Sequence, residues 1–418
     1  MEKELLKNLR SRFSKEVMDQ IRAQHLDFPG VEGSNVDFRR SVERIFKSIL
    51  KENRDIRLTN AEQEEVLTEM MPDILGLWPI YKLLIDPAVI EIMINGPAEV
   101  YIEREGKLES TDITFKNEQQ LNYLIDQIVS STGRRLTELE PFVDAKLKDG
   151  SRVNIVISPV SSTGPILTIR KFRQQTLDIN RLIDLKTLDN SVAEFLKACV
   201  ICRLNILISG SSSSGKTTLL NALASFIPDG ERAIIIEDTQ ELHPSRKHTI
   251  FLETRPPSIE GKGEITIRGL LKNSLHMRPD RIIVGEVRSD EVLDMIQAMN
   301  TGHEGSMTTL HANSSLEALD RLEVLALANQ ANMSSEVIRR QLITAIDIII
   351  HITRFRDGSR KITRITELLK TKDYSLQDIF IFKDETNKLE PTGKKPTFYP
   401  WLKNKANYIS KEFEAKDK

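Results

Sequence analysis

Residues 204–218 read LNILISGSSSSGKTT and place a short apolar run directly before a loop of glycine and serine. The segment satisfies G-x-x-x-x-G-K-[ST], in which glycines let backbone N–H groups turn inward and the following helix N-terminus attracts negative charge. We therefore expect a polyphosphate ligand, with Lys216 reaching the β- and γ-phosphates and the Thr217 hydroxyl completing a Mg²⁺ shell. The candidate nucleotide-binding residues are Gly210, Ser211, Ser212, Ser213, Ser214, Gly215, Lys216, Thr217 and Thr218.

Around this loop, apolar strand-like runs alternate with helical stretches, which predicts a parallel sheet flanked by helices. The runs are LNILISG, RAIIIED, HTIFLET, DRIIVGE, SMTTLHA and AIDIIIHITR, followed by the hairpin-like SRKITRITEL. Residues 78–173 hold shorter β-rich runs separated by turn residues, which indicates an α+β domain with an antiparallel sheet. Residues 1 to about 70 show helical spacing, with Leu5, Leu6, Leu9 and Phe13 on one face.

These patterns predict five segments. They are a helical extension (1–72), an α+β domain (73–175), a polar linker (176–190), an α/β domain that carries the phosphate loop (191–385) and a basic tail (386–418). From Glu385 onward the chain has eight lysines against five acidic residues, a composition typical of a solvated or loosely packed end.

Composition argues against several functions. The 418 residues are 39% hydrophobic and 29% charged, with a net charge of -2, so no global positive field favours nucleic acid. No apolar run approaches the ~20 residues that cross a bilayer, and the first residues lack a secretory signal pattern, which predicts a cytosolic protein. Cys199 and Cys202 lie in an apolar stretch without further metal-ligand partners, so we interpret them as core thiols rather than a redox or zinc pair.

Carboxylates follow two of the predicted strands, at the edge where ligands bind in parallel sheets. RAIIIEDTQEL ends in Glu237, Asp238 and Glu241, which can position water around a metal, although one of them is expected to cap a following helix. RIIVGE delivers Glu286, which we expect to orient or deprotonate the attacking water. Gly285 stands where many phosphate-loop enzymes carry a metal-ordering Asp, and Asp280 before the strand fits a structural role.

Histidines and arginines supply weaker candidates. His303 and His311 are eight residues apart, without a tight metal-ligand pattern, and become plausible γ-phosphate sensors only beside the preceding motifs. Arginine forks match phosphate oxygens, but most arginines are solvated or form salt bridges. The candidates in the first domain are Arg134, Arg135, Arg152 and Arg170.

The order of these motifs closely resembles the secretion ATPases of the type II/type IV superfamily, in particular the CpaF-type ATPases of tight-adherence (Tad/Flp) pili. The resemblance runs from about residue 75 to 402 and rests on the phosphate loop, EDTQEL, the block LETRPPSIEGKGEITIRGLLKNSLHMRPDRIIVGEVRSDEVLDMIQAMNTGHEGSMTTLHANS, LLIDPAVIEIMINGPAEVYIE and DGSRVNIVISPVSSTGPILTIRKF. It implies an α/β fold in which a RecA-like motor domain follows a PAS-like α+β domain and a helical N-terminal extension. It also implies a homohexamer that binds ATP and Mg²⁺ in the cleft between the two domains.

The resemblance assigns roles residue by residue. Lys216 and Thr217 belong to the phosphate loop, Glu237 to the acidic box and Glu286 to the Walker B strand, with Thr217, Glu237 and Glu286 around the metal. His303 and His311 match the His box, Arg152 and Arg170 reach the terminal phosphate, and Arg134 or Arg135 does likewise. The loop departs from the family in reading GSSSSGKTT instead of a Gly-Thr-Gly-rich version, and the four-cysteine zinc module of pilus-extension relatives is absent.

The implied function is hydrolysis of ATP to drive pilus assembly, or also retraction, through inner-membrane platform proteins, from the cytoplasmic face of that membrane. Three alternatives stay open. One is the ATPase of a type IV system for conjugation or effector export, which shares these motifs. A RecA-like nucleic-acid motor and a nucleotide-gated assembly subunit without turnover are the others.

Overall fold

The computed structural model describes four of residues 1–35, namely Phe13, Glu16, Val17 and Gln20, and most of residues 36–414. The gaps within that range are residues 54–55, 57, 75–78, 105, 133–134, 148, 173–176, 258–261 and 329–332. The chain divides into two compact units, Met1–Arg173 and Gln174–Lys418. Of the helical face predicted from the first residues, Leu5, Leu6 and Leu9 lie outside the described residues.

The first unit combines helices with an antiparallel sheet, as the turn-separated β-rich runs predict. Its helices are α1 (Val36–Glu52), α2 (Asn60–Ile74), α3 (Tyr81–Ile85) and α4 (Glu118–Thr132). Its strands are β1 (Val89–Asn95), β2 (Glu99–Arg104), β3 (Lys107–Ser110), β4 (Phe142–Lys146), β5 (Arg152–Val156) and β6 (Ile166–Arg170), in the order β3-β2-β1-β6-β5-β4. Phe13 is fully buried and its ring meets that of Phe46 edge-on, with centroids 5.5 Å apart.

The second unit is built on a nine-stranded sheet in the order β15-β14-β13-β12-β7-β11-β10-β8-β9. The strands are β7 (Ile206–Gly210), β8 (Ala233–Glu237), β9 (Thr249–Glu253), β10 (Arg281–Val284), β11 (Met307–His311), β12 (Ile348–Arg354), β13 (Arg360–Leu369), β14 (Ser375–Lys383) and β15 (Lys388–Pro391). The six strands from β12 to β9 run parallel, and β13, β14 and β15 extend the β12 side as antiparallel neighbours. The mixed α/β fold predicted from the alternating runs is confirmed.

Helices cover both faces of this sheet, which explains why its central strands are continuous apolar runs. Successive residues of β7 enter opposite cores, since Ile206 and Ile208 belong to one apolar cluster and Leu207 to the other. The helices are α5 (Ile179–Asp184), α6 (Asn190–Ile201), α7 (Lys216–Ala224), α8 (Ile267–Ser274), α9 (Glu291–Asn300), α10 (Ser315–Ala328), α11 (Ser335–Ala345), α12 (Tyr399–Ala406) and α13 (Lys411–Glu414), with a 3-10 turn at Leu275–Met277.

Two segments are more ordered than their composition indicated. The polar linker contains α5, whose first turn is capped by the Asp178 carboxylate. Leu182 and Leu188 of the linker are buried in an apolar core of the second unit. The basic tail is not a loosely packed end, because β15 joins the sheet and Leu402 and Phe413 are buried. The lysine count does not reveal this packing, because most of the apolar and aromatic residues between the lysines are buried, although Trp401 and Ile409 are exposed.

The cysteines behave as core thiols, as expected. Cys199 and Cys202 are both buried and free, and burial raises the pKa of each thiol above its ordinary value. Within the described residues, no group of three or more His, Cys, Asp or Glu side chains is arranged to hold a metal ion.

Among the helices that the structure describes, none is both long enough and apolar enough to cross a membrane.

Candidate functional site

The phosphate loop connects the carboxyl end of β7 to the first residue of α7. Gly215 caps that helix in a left-handed conformation, with φ of 98°. Gly210 lies so close to β12 that a Cβ there would stand 2.3 Å from the carbonyl oxygen of Ile352. Both glycines are thus required by the local geometry, and the loop forms a tight backbone cradle at a helix N-terminus, the arrangement that binds phosphate.

Lys216 is buried and its amine lies against this cradle. Nζ donates to the carbonyl oxygens of Gly210 at 3.1 Å and Ser211 at 2.8 Å, and lies 3.3 Å from Nδ1 of His311. The charged amine is therefore held at the mouth of the loop, where the sequence motif predicts the β- and γ-phosphates.

His311 ends β11 beside the loop and connects Lys216 to Glu286. Its Nε2 is 2.8 Å from Oε1 of Glu286. Burial, and then the charge of Lys216, lowers the pKa of His311 below its ordinary value of 6.5, while Glu286 acts in the opposite direction. Nδ1 of His311 therefore faces the Lys216 amine, and Nε2 faces the Glu286 carboxylate.

Arg288 holds the other oxygen of the Glu286 carboxylate, a contact that the motif search missed. Its Nε donates to Oε2 of Glu286 at 2.7 Å, a second guanidinium nitrogen binds the same oxygen, and a third lies 3.6 Å from the Asp238 carboxylate. The only available sequence signal was an arginine two residues after the candidate base. Glu286 is consequently oriented by Arg288 through Oε2, while its Oε1 lies beside His311.

Glu237 is buried at the end of β8 and lies next to Gly285. Its two oxygens accept N–H groups of Glu241 and Leu242, each at 3.2 Å. The expected helix is absent from residues 238–248, which the structure describes as bends and irregular backbone, so the carboxylate caps a loop instead. A Cβ on Gly285 would stand 2.8 Å from the Glu237 side chain, which explains why no Asp occupies that position.

The groups at this edge fit a nucleotide and Mg²⁺. The loop N–H groups and Lys216 suit phosphate oxygens, while the Thr217 hydroxyl in the first turn of α7 and the carboxylates of Glu237 and Glu286 are the oxygen donors that Mg²⁺ prefers.

His303 is not brought to this site within the chain. It precedes the amino end of β11, whereas His311 occupies the carboxyl end, and five strand residues at about 3.3 Å each separate the two edges. Its carbonyl oxygen accepts the Ser306 hydroxyl at 2.7 Å, next to Gly305, which packs against the buried Arg281. Within one chain the two histidines therefore lie at opposite ends of the strand, because their spacing of eight spans it, and a γ-phosphate role for His303 stays a prediction. Asp280 has the structural role expected of it, since its carboxylate accepts the N–H of Arg232 at 2.7 Å.

The candidate arginines belong to the first unit. Arg152 on β5 lies directly opposite Arg170 on β6, and Arg170 lies opposite Glu91 on β1. Burial raises the pKa of Glu91, an effect that the charge of Arg170 opposes. Arg135 is exposed, and Arg134 lies outside the described residues.

Comparison with known proteins shows which family the chain resembles. Residues 75–379 match the family model of the type II/IV secretion system protein. The chain is 33% identical over 308 residues to a putative conjugal transfer protein of Mycobacterium tuberculosis strain H37Rv, covering 72% of this chain and 87% of that protein. It is 32% identical over 353 residues to the type IV secretion system protein VirB11 of Bartonella quintana, covering 74% and 94%.

Among solved structures, the VirB11 ATPase of the Brucella suis type IV secretion system in complex with sulphate aligns at 27% identity, with a TM-score of 0.38. The alignment covers 70% of this chain and 96% of that one. A phosphate loop on an α/β sheet, with carboxylates at the ends of other parallel strands of that sheet, is typical of nucleotide hydrolases. The chain belongs to the type II/IV secretion system protein family, and it is a secretion ATPase of that family.

Proposed function

We propose that the chain is the Mg²⁺-dependent ATPase motor of a Tad/Flp-type pilus. It acts as a homohexamer at the cytoplasmic face of the inner membrane and drives pilin assembly, or also retraction, through platform proteins of that membrane. The observation that supports hydrolysis most directly is the convergence of Lys216, His311 and Glu286 beside the phosphate loop.

In this proposal Glu286 is the base that orients or deprotonates the attacking water. Arg288 holds one carboxylate oxygen and Nε2 of His311 lies 2.8 Å from the other, so the side chain needs little reorganisation before it accepts a proton. Lys216 and the loop N–H groups stabilise the negative charge that develops on the transferred phosphoryl oxygens. Thr217, Glu237 and Glu286 would hold a Mg²⁺ ion, which would neutralise further phosphate charge.

Arg152 and Arg170 are proposed to contact the terminal phosphate, together with Arg134 or Arg135. Like charges directly opposite each other on neighbouring strands are destabilising, and an anion shared by the two guanidinium groups relieves that repulsion.

The first test replaces the base. Glu286→Gln keeps the size and hydrogen bonding of the side chain but removes its ability to accept a proton, so we expect ATP turnover to fall about 10²–10⁴-fold while nucleotide binding persists. Phosphate release and binding of a fluorescent nucleotide are measured on the same sample. Glu304→Gln is the matched control, because this exposed carboxylate follows His303 at the opposite edge of the sheet. Unchanged turnover in the Glu286 variant removes that residue from its role.

A second candidate is the motor of a type IV secretion system, favoured by the relatives named for conjugal transfer and VirB11. Deleting the gene in the source organism separates the two. Loss of pili, restored by the wild-type gene but not by Glu286→Gln, supports the pilus motor. Normal pili with loss of DNA or effector transfer supports the alternative. Native mass spectrometry with Mg²⁺ and ADP tests the oligomer, for which we expect six times the mass of one chain.

A further inference from the structure

Ser213 occupies a backbone conformation that L residues rarely adopt. Its φ is 56°, in the left-handed region that favours glycine, and it is the fourth residue of the loop GSSSSGKTT. Something outside the loop must therefore stabilise this conformation.

Arg360, 147 residues further along the chain, makes that contact. Its Nε donates to the carbonyl oxygen of Ser213 at 2.9 Å. Its Cδ stands 3.3 Å from the point that a Cβ on Gly215 would occupy, so the stem of the side chain lies along the loop. One arginine thus touches the loop on both sides of Ser214.

The position of Arg360 is fixed by the hairpin of β12 and β13. Phe355 donates its N–H to the carbonyl of Ser359 at 2.8 Å, and the Asp357 carboxylate accepts the N–H and the hydroxyl of Ser359 at 2.9 and 2.6 Å. Gly358 completes the turn with φ of 85°. The same hairpin supports the loop through Ile352, whose carbonyl contacts Gly210.

We propose that Arg360 is a positioning residue for the phosphate loop. A trans peptide directs its C=O and N–H to opposite sides, so holding the Ser213 carbonyl outward directs the Ser214 N–H inward. That N–H faces the carbonyl oxygen of Ser211 at 3.4 Å, inside the loop. Arg360 therefore keeps the cradle in its phosphate-binding conformation without touching phosphate. This inference rests on the proposed nucleotide site and adds the residue that shapes it.

The test combines Arg360→Met with Ser213→Gly. Methionine keeps an unbranched apolar stem but removes the donor, and we expect mant-ADP to bind the full-length variant about tenfold more weakly in the presence of Mg²⁺. Glycine adopts positive φ without strain, so Ser213→Gly in the same chain should recover more than half of the lost affinity on a logarithmic scale. Arg356→Met, an exposed arginine in the turn of the same hairpin, is the control and should bind like the wild type.

Three results overturn the proposal. The first is that Arg360→Met lowers the affinity for mant-ADP by less than about threefold. The second is that Ser213→Gly does not recover the lost affinity, and the third is that Arg356→Met lowers the affinity as much as Arg360→Met does. The second result indicates that Arg360 contacts phosphate or only stabilises the fold. If Arg360→Met does not unfold cooperatively, Arg360→Leu, which also lacks a donor, is measured against the same criteria. If the wild type itself does not bind mant-ADP, that result contradicts the proposed nucleotide site and not the role of Arg360 in shaping the loop.

Discussion

Gly285 and Glu237 share a space in which only one side chain fits. A Cβ on Gly285 would lie 2.8 Å from Cγ of Glu237, which is itself held by two backbone N–H groups. We therefore expect Gly285→Ala to displace the carboxylate and to lower the free energy of unfolding by about 1–3 kcal/mol. Because Mg²⁺ would be bound more weakly, ATP hydrolysis should need a higher Mg²⁺ concentration to reach half of its maximal rate. Denaturant unfolding and a Mg²⁺ titration of turnover measure both effects.

The control for that substitution is Gly230→Ala. A Cβ there would meet no heavy atom within 4 Å, so this variant should unfold and hydrolyse ATP like the wild type, or be slightly more stable. Equal behaviour of the two alanine variants would show that Glu237 tolerates the added methyl group and that its position is not set by Gly285.

Sequence reasoning found the parts of the site that are contiguous in the chain. The loop and Lys216 follow from one motif, and Glu286 follows from its place at a strand end. Arg360 could not be found, because its contact with Ser213 joins residues from different strands and carries no local spacing. The sequence also could not show that His303 and His311 lie at opposite ends of β11, because a motif records order along the chain but not which end of a strand a residue occupies.

At the scale of elements, hydrophobic runs predict the buried strands, but they do not reveal several strands that mix polar and apolar residues. All five residues of β8 are buried, and its first four, AIII, form a continuous apolar run. In contrast, β4 (FVDAK) and β14 (SLQDIFIFK) mix polar and apolar residues, and their sequences do not predict strands. Their pairing with neighbours is a tertiary effect that the sequence alone underdetermines.

The packed C-terminal segment gives a second prediction at this scale. Phe413 is almost fully buried, and its ring centroid lies 5.4 to 6.2 Å from those of Tyr399, Phe195 and Phe380. We expect Phe413→Ala to lower the free energy of unfolding by about 3 kcal/mol, because it removes a large apolar side chain from a core. Ile409→Ala is the control, since Ile409 is 63% exposed and its loss should cost less than about 0.5 kcal/mol. Equal stabilities in urea would mean that this segment contributes little to the core.

The whole molecule has separate apolar cores in its two units, and the phosphate loop with Lys216, Glu237, Glu286 and His311 belongs entirely to the second. Because the cores are separate, calorimetry of the full chain should show two unfolding transitions. A ligand stabilises only the unit that binds it, so Mg²⁺–ADP should raise the midpoint temperature of one of them. At a hundredfold excess over the dissociation constant the gain is about 2.7 kcal/mol, or roughly 5–10 °C for a unit of this size.

Residues 174–418 expressed alone identify which transition that is. This fragment should unfold cooperatively at the temperature of the ADP-sensitive transition and show the same upward shift, because no residue of the first unit forms the phosphate loop. Lys216→Ala in the full chain should abolish the shift and leave the other transition unchanged. If ADP raises both transitions of the full chain together, the two units unfold as one body and the nucleotide stabilises more than the unit that carries the loop.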